Sequence, residues 1–328
     1  MKILFYTPLN TRCRDIESQA VEFQKAGHEI FLLTQSEFNG IHENFKSYGF
    51  TVAAKFVKST NTKIQIVKLV YHLVTYCWKN KIDLVYSHLE PSNFIAVLAQ
   101  YFVRARIIIC RHHVDEAKLY PFGKDLSYKL TYKLAREIIV VSNRAKEYMI
   151  NEELVPAKKI HQINLAYDFK LYNSVDSVDV DKLKRELKCD VLLLTICRLT
   201  RYKRPEYSIQ VVKSLVESGI KPKLIILGQG ELLNDLNRLI SELNLEDYVL
   251  MPGYVNNVLD YMGAADLLIH PSLLDSSSIS LKEAALVNLP MIACSGVGDF
   301  DEVIKHGVNG FIVNKDNFIN ETVSIILK

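Results

Sequence analysis

Glycine is sparse, at 13 of 328 residues, and it is missing where a phosphate-binding turn would need it. The first apolar run, KILFYTP, leads into NTRCRDIES rather than a Gly-rich turn. The dinucleotide fingerprint is therefore absent, which weighs against a nicotinamide enzyme. Cysteine pairs are missing too. Cys13, Cys77, Cys110, Cys189, Cys197 and Cys294 are scattered, with no CxxC spacing. Several lie in apolar runs and read as reduced core residues of a cytosolic protein. No apolar run approaches the length of a membrane span. The opening MKILFYTPLNT turns polar too soon for a signal peptide and reads as a first buried strand. There is no HExxH, GxSxG or Walker loop. No DxD pair marks a Mg²⁺–nucleotide clamp, since the carboxylates of DSVDVD fall in a presumed linker. No metal or cofactor is expected, and no solenoid-length repeat is present.

What is present is alternation. Apolar strand-like runs and amphipathic helix-like runs follow one another from end to end, the pattern of an α/β protein with parallel sheets. The length suits two domains, and 49% hydrophobic with 23% charged residues reads as soluble and globular. The polar stretch NSVDSVDVDKLKREL is the expected linker and entry helix. It places an N-terminal domain at 1–172 and a C-terminal domain at 173–328. Residues 1–170 carry 24 Lys and Arg against 16 Asp and Glu, whereas 171–328 carry 16 against 21. The basic first half hints at an anionic acceptor or membrane surface, not nucleic acid, because its cations are spread through helix-like segments. In one such segment, KIQIVKLVYHLVTYCWKNK, Lys63, Lys68, Lys79 and Lys81 accompany Tyr71, Tyr76 and Trp78. It reads as an interfacial helix or, more simply, as an amphipathic helix with its aromatics in the core.

The densest stretch runs from Asp266 to Ile304 as strand, polar loop, helix, strand, Gly loop and helix. Asp275 and Glu283 bracket the loop and the first helical turn. Ser276, Ser277, Ser278 and Ile279 stand where a helix begins, and free amides with the positive dipole end attract an anion there. A rival reading has Ser280 and Glu283 as a capping box. Arg198, Arg201, Lys203 and Arg204 follow another buried strand, and Arg198 and Lys203 are favoured for a diphosphate. Gly228 and Gly230 turn a strand into a helix, with close backbone approach to a ligand as one use. Tyr254 and Val255 lie at a further strand end, as does SGVGD with Gly296 and Gly298. In the first half two strands end in His88 and in Arg111, His112 and His113, which puts imidazoles at one sheet edge.

These residues together resemble the retaining glycosyltransferases of family 4. The family's acid, seven residues, acid signature reads here as Asp275, SSSISLK, Glu283, with Asp for the usual first Glu and serines for the usual Gly-Phe-Gly. Its Gly-Arg-Leu with a Lys five residues after the Arg reads as Cys197, Arg198, Leu199 and Lys203. HPS, EAALVNLPMIA and GVNGFIV match family phrasing. The resemblance implies a GT-B fold, two Rossmann-like domains facing a central cleft, and metal-independent transfer from a UDP- or GDP-sugar to a glycan or lipid-linked acceptor in surface polysaccharide or glycolipid synthesis. It implies that Arg198 and Lys203 hold the donor diphosphate, with Gly228 and the helix start at Ser276–Ile279 on the donor side. Asp275 would contact the donor sugar, Glu283 the ribose, and the backbone near Tyr254 and Val255 the base. His112 would stand near the reacting centre, with His88 and Arg111 on the acceptor side. Asp168 and Tyr172 resemble the hinge phrase. The implied location is cytoplasmic, peripheral on the inner membrane face. The helix that usually crosses back to the first domain is expected to be short or absent. A non-catalytic nucleotide-sugar-binding scaffold and a GT-B epimerase are the alternatives.

Overall fold

The computed structural model describes residues 1–328 except 12, 115–124, 172–174, 176–179, 181–182, 184–186 and 256, and omits the side chains of 125–128. Tyr172 and most of the expected linker fall outside the described residues. The chain divides into two compact units, Met1–Leu171 and Tyr172–Lys328.

The first unit holds a seven-stranded parallel sheet in the order β3-β2-β1-β4-β5-β6-β7. Its strands are β1 (Lys2–Thr7), β2 (Glu29–Thr34), β3 (Thr51–Ala54), β4 (Leu84–His88), β5 (Arg106–Arg111), β6 (Ile138–Val140) and β7 (Ile160–Gln162). The apolar run of β1 shows why the sheet is covered on both sides. Ile3 and Phe5 enter one core cluster, and Leu4 and Tyr6 enter the other. Side chains alternate across a strand, so an unbroken apolar run needs helices on each face. They come from α1 (Arg14–Lys25), α2 (Gly40–Ser47), α3 (Thr62–Asn80), α4 (Ser92–Ala99), α5 (Asp125–Leu134) and α6 (Asn143–Asn151). Helix α2 gave no clear sequence signal, because its GIHENFKS buries only Ile41, His42 and Phe45. Strand β3 is shorter than the run FTVAAKFV, and Phe56 beyond it is exposed.

The second unit repeats the plan with β8 (Val191–Ile196), β9 (Pro222–Leu227), β10 (Val249–Gly253), β11 (Leu267–His270), β12 (Met291–Cys294) and β13 (Gly310–Val313). They form a parallel sheet ordered β10-β9-β8-β11-β12-β13. Helices α7 (Pro205–Glu217), α8 (Leu233–Glu242), α9 (Val258–Ala264), α10 (Ile279–Leu286), α11 (Phe300–Val303) and α12 (Phe318–Ile326) complete it. Strand order reverses between β8 and β11, so the loops after these two strands diverge and leave a crevice at the carboxyl edge.

Two glycines lock that edge. Gly228 follows β9 with φ +138°, and a Cβ there would lie 1.9 Å from the Cys197 carbonyl oxygen. Gly298 has φ +53°, and its Cβ would meet the Ser276 carbonyl oxygen at 2.8 Å. Close approach is therefore required, but by the protein's own loops: Gly228 meets the loop carrying Arg198, and Gly298 meets the loop carrying Asp275. The clash at Gly228 is with rigid backbone. Gly228→Ala is expected to destabilise the second unit by about 3 kcal/mol or more, read as a lowered urea midpoint. A midpoint matching the parent would remove this constraint.

Candidate functional site

The carboxyl edge of the second sheet gathers most of the sequence-predicted residues. The loop after β8 forms a short turn at Arg201–Lys203, and Leu273 N–H donates to Tyr202 O at 2.8 Å, tying it to the loop after β11. Lys203 Nζ then donates to Asp275 Oδ2 at 2.6 Å, with both side chains about 15% exposed. His270, the last residue of β11 and almost fully buried, places Nε2 3.5 Å from the same oxygen, too long for a good hydrogen bond but close enough to act electrostatically. Burial would raise the Asp275 carboxyl, but the Lys203 ammonium and His270 override it and hold it well below the usual carboxylate range. Burial lowers His270 despite Asp275, so its imidazole is neutral near pH 7. His270 was not picked out from the sequence as a site residue. Its place as the last residue of a buried strand was the available signal.

The helix start differs from expectation. Asp299 accepts from Ser277 Oγ at 2.7 Å, Ser278 N–H at 3.2 Å and Lys282 Nζ at 2.6 Å. Ser276 N–H donates to Asp275 Oδ1 at 2.9 Å. Protein carboxylates thus already take some of the donors expected to face a ligand anion. The capping-box reading of Glu283 also fails. Helix α10 begins at Ile279 with Ser278 as N-cap, so Ser280 lies inside the helix, and Glu283 is buried in its second turn. Val255 packs on the core, and Tyr254 is exposed at the end of β10.

The cations separate by burial. Arg198 is exposed, and its guanidinium has no ion-pair or hydrogen-bond partner among the described residues. Arg204 is buried and structural: it donates to Pro271 O at 2.8 Å, Lys315 O at 3.1 Å and Cys294 Sγ at 3.1 Å. Arg111 in the first unit is likewise structural, which corrects its assignment to the acceptor side. It is fully buried, donates to Glu153 Oε1 at 2.9 Å and His113 O at 2.7 Å, and stacks on Tyr132.

His88 and His112 do come together. Register pairs His88 with Cys110, so His88 and His112 stand on adjacent strand ends, with His88 Nδ1 and His112 Nε2 3.0 Å apart. His88 stacks on Phe5. Burial, then His112, drives the His88 pKa well down. Burial lowers His112 against the opposing pull of Asp15. Asp15 Oδ2 lies 3.7 Å from His112 Nδ1, completing a carboxylate–imidazole–imidazole row. Asp15 was missed because it sits in the first turn of α1, in a loop without the expected glycines. That turn carries Asp15 and Glu17, and Cys13 N–H donates to Glu17 Oε1 at 3.0 Å. Carboxylates at this helix start disfavour a bound phosphate. Folding also brings the donor atoms of His88, Cys110 and His112 within 4.8 Å of one another, a trio with the donor types of a soft divalent ion that no sequence spacing revealed. The six cysteines are free thiols.

Comparison with known proteins follows the same division. Residues 158–325 match the family described as Glycosyl transferases group 1, and residues 16–170 match Glycosyltransferase Family 4. The chain is 27% identical over 294 residues to the UDP-Gal:alpha-D-GlcNAc-diphosphoundecaprenol alpha-1,3-galactosyltransferase of Escherichia coli, covering 84% of this chain and 75% of that one. It is 26% identical over 271 residues to the N-acetylgalactosamine-N,N'-diacetylbacillosaminyl-diphospho-undecaprenol 4-alpha-N-acetylgalactosaminyltransferase of Campylobacter jejuni, covering 79% and 71%. Among solved structures, Anabaena Alr3699/HepE in complex with UDP-glucose shares the fold with a TM-score of 0.82 at 20% identity, over 100% of this chain and 89% of that one.

Two measurements test this division of the charged residues. Arg111→Ala is expected to destabilise the protein by about 3 kcal/mol, since it empties a fully buried site and leaves the Val114 and His113 carbonyls and the half-buried Glu153 without their donor, whereas Arg198→Ala shifts the urea midpoint within error. Equal losses would contradict the assignment. Lys203→Ala is expected to cost roughly 2–4 kcal/mol near neutral pH. Asp275 has a depressed folded pKa, so its stabilisation is present above the unfolded carboxylate value of about 4 and is lost as pH falls toward the folded one. The parent's advantage over Lys203→Ala therefore narrows below about pH 4. A gap constant with pH would overturn the pairing.

Proposed function

The chain belongs to the glycosyl transferases group 1 and is a glycosyltransferase, and from that premise we propose that it moves a sugar from a UDP-sugar, with retention at the anomeric carbon and without a metal ion, to a polyprenyl-diphosphate-linked glycan. The observation that carries this reading is Arg198, an exposed cation without a side-chain partner among the described residues, on the loop after β8 that also carries the Lys203 of the Lys203–Asp275 pair. The UDP donor is supported by the UDP-Gal named for the Escherichia coli relative and by the UDP-glucose in the HepE complex. The acceptor class is supported by the undecaprenol-linked acceptors named for both relatives. Among the described residues no helix is long and apolar enough to cross a membrane. In this reading the lipid-linked acceptor is met at the cytoplasmic membrane face.

In the proposed step the bond between the anomeric carbon and the β-phosphate oxygen breaks, and a bond from the acceptor hydroxyl oxygen forms on the same face. The hydroxyl proton passes to the departing phosphate oxygen. Double displacement through a protein carboxylate is disfavoured at Asp275. It is ion-paired with Lys203 and held well below the usual carboxylate range, which makes it a weak nucleophile. Its role is to orient Lys203 and the donor sugar. The Arg198 and Lys203 cations stabilise the charge that grows on the leaving diphosphate. Glu283 is assigned to the ribose and the backbone by Tyr254 and Val255 to the base. On the acceptor side His112, oriented by Asp15 and His88, supplies a neutral imidazole.

Release of UDP from a UDP-sugar by the purified chain is the direct test. Arg198→Ala is expected to lower turnover at least about tenfold with stability unchanged. Full turnover would remove Arg198 from the donor site. UDP release is also expected to survive a chelator. Complete loss, restored by added divalent metal, would sink the metal-free step and implicate the His88–Cys110–His112 trio. Tight UDP-sugar binding with no turnover on any acceptor extract would favour a scaffold, and sugar conversion without UDP release an epimerase.

A further inference from the structure

Helix α3 has apolar residues on two sides. Leu69, Leu73, Val74 and Cys77 are buried in the first unit's core. Ile64, Val67, Tyr71 and Trp78 face outward at 49%, 67%, 65% and 62% exposure. At 3.6 residues per turn these four fall within an arc of about 60°. Trp78 Nε1 donates to Phe102 O at 3.1 Å, which joins the stripe to the exposed turn at Tyr101 and Phe102. The expectation that the helix would bury its aromatics is therefore wrong for Tyr71 and Trp78. An apolar stripe of this length is not what a free solvated helix presents.

The charge around the stripe has one sign. Lys63 flanks it on one side, and Lys68 and Lys79 on the other. All three are exposed, and none pairs with a carboxylate among the described residues. From Lys55 to Ile82 the sequence has six lysines and no aspartate or glutamate. Crowding of cations is felt locally: Lys55 and Lys68 reinforce the lowering of the His72 pKa that burial begins. A second copy of this chain docked on the same face would bring like charges together with no acid between them. Lysines flanking an aromatic and aliphatic stripe are suited to an anionic bilayer, where the rings settle at headgroup level and the ammonium groups reach lipid phosphates.

We propose that the outward face of α3, with the Tyr101–Phe102 turn, seats the protein on an anionic phospholipid surface. The purpose of this contact rests on the lipid-linked acceptor reading, while its geometry stands without it. The test is co-sedimentation of the full chain with vesicles of phosphatidylglycerol and phosphatidylcholine, or of phosphatidylcholine alone. The parent is expected to sediment with the anionic vesicles only, less so as salt is raised. The combined variants Val67→Ser, Tyr71→Ser, Trp78→Ser and Lys63→Glu, Lys68→Glu, Lys79→Glu are each expected to reduce partitioning by roughly tenfold or more. Both keep their circular dichroism and their UDP release from the sugar donor in solution. Unchanged partitioning of both variants, or no binding of the parent to anionic vesicles, overturns the proposal. So does a parent dimer seen by light scattering that either variant dissolves, since the face would then be covered by a second copy. Vesicle binding that persists while no polyprenyl-linked acceptor is glycosylated keeps the surface and removes the acceptor reading alone.

Discussion

The candidate donor site depends on one ion pair. Lys203 and Asp275 stand 72 positions apart in sequence and meet at 2.6 Å. Neither charge is well solvated there, and a carboxylate or ammonium left alone in such a place would cost several kcal/mol. The neighbouring arrangement keeps them together. Gly228 lets the β9 turn press on the loop of Arg198, Gly298 lets the β12 loop press on Asp275, and the backbone bond from Leu273 to Tyr202 fastens the two loops to each other. Asp299 balances Lys282 at the start of α10. The outcome is an edge on which Lys203, Lys282 and Arg204 are paired internally, while Arg198 and Arg201 are exposed without a side-chain partner among the described residues.

The first unit solves a different problem with the same sheet plan. Its carboxyl edge presents neutral imidazoles rather than cations. Burial sets this, because desolvation disfavours the charged form of each ring, and at His88 the neighbouring His112 adds to the effect. Asp15 opposes the effect at His112 without reversing it. Where a phosphate-binding fold would place glycines, this chain places carboxylates. The two edges are therefore chemically distinct, one lined by cations and their carboxylate partners and the other by neutral imidazoles. A surface helix in the same unit adds a third kind of chemistry, apolar and cationic at once.

Much of this was legible from residues in order. Unbroken apolar runs marked where the strands lie, because a strand buried on both faces has nowhere to place polar side chains. Strand direction then put His88, His112, Arg198 and Asp275 at carboxyl ends. Short or irregular elements were less visible. Helix α2 has too few buried positions to show a period, β3 ends before its apolar run does, and the capping signature at Ser280 is displaced by a helix that starts at Ile279.

What the sequence by itself determined is the alternation of strands and helices, the two-unit plan, the resemblance to family 4 glycosyltransferases and the strand ends from which the site residues come. Only the tertiary structure decided which charges are free. Arg111, Arg198 and Arg204 look alike along the chain, yet two are buried among carbonyls, a thiol and a carboxylate, and one faces solvent. The same holds for Tyr71 and Trp78, whose periodic spacing fits a core or a surface equally well. The reason is physical: periodicity specifies that residues share a face, whereas the other elements packed nearby decide whether that face, or that charge, meets protein or water.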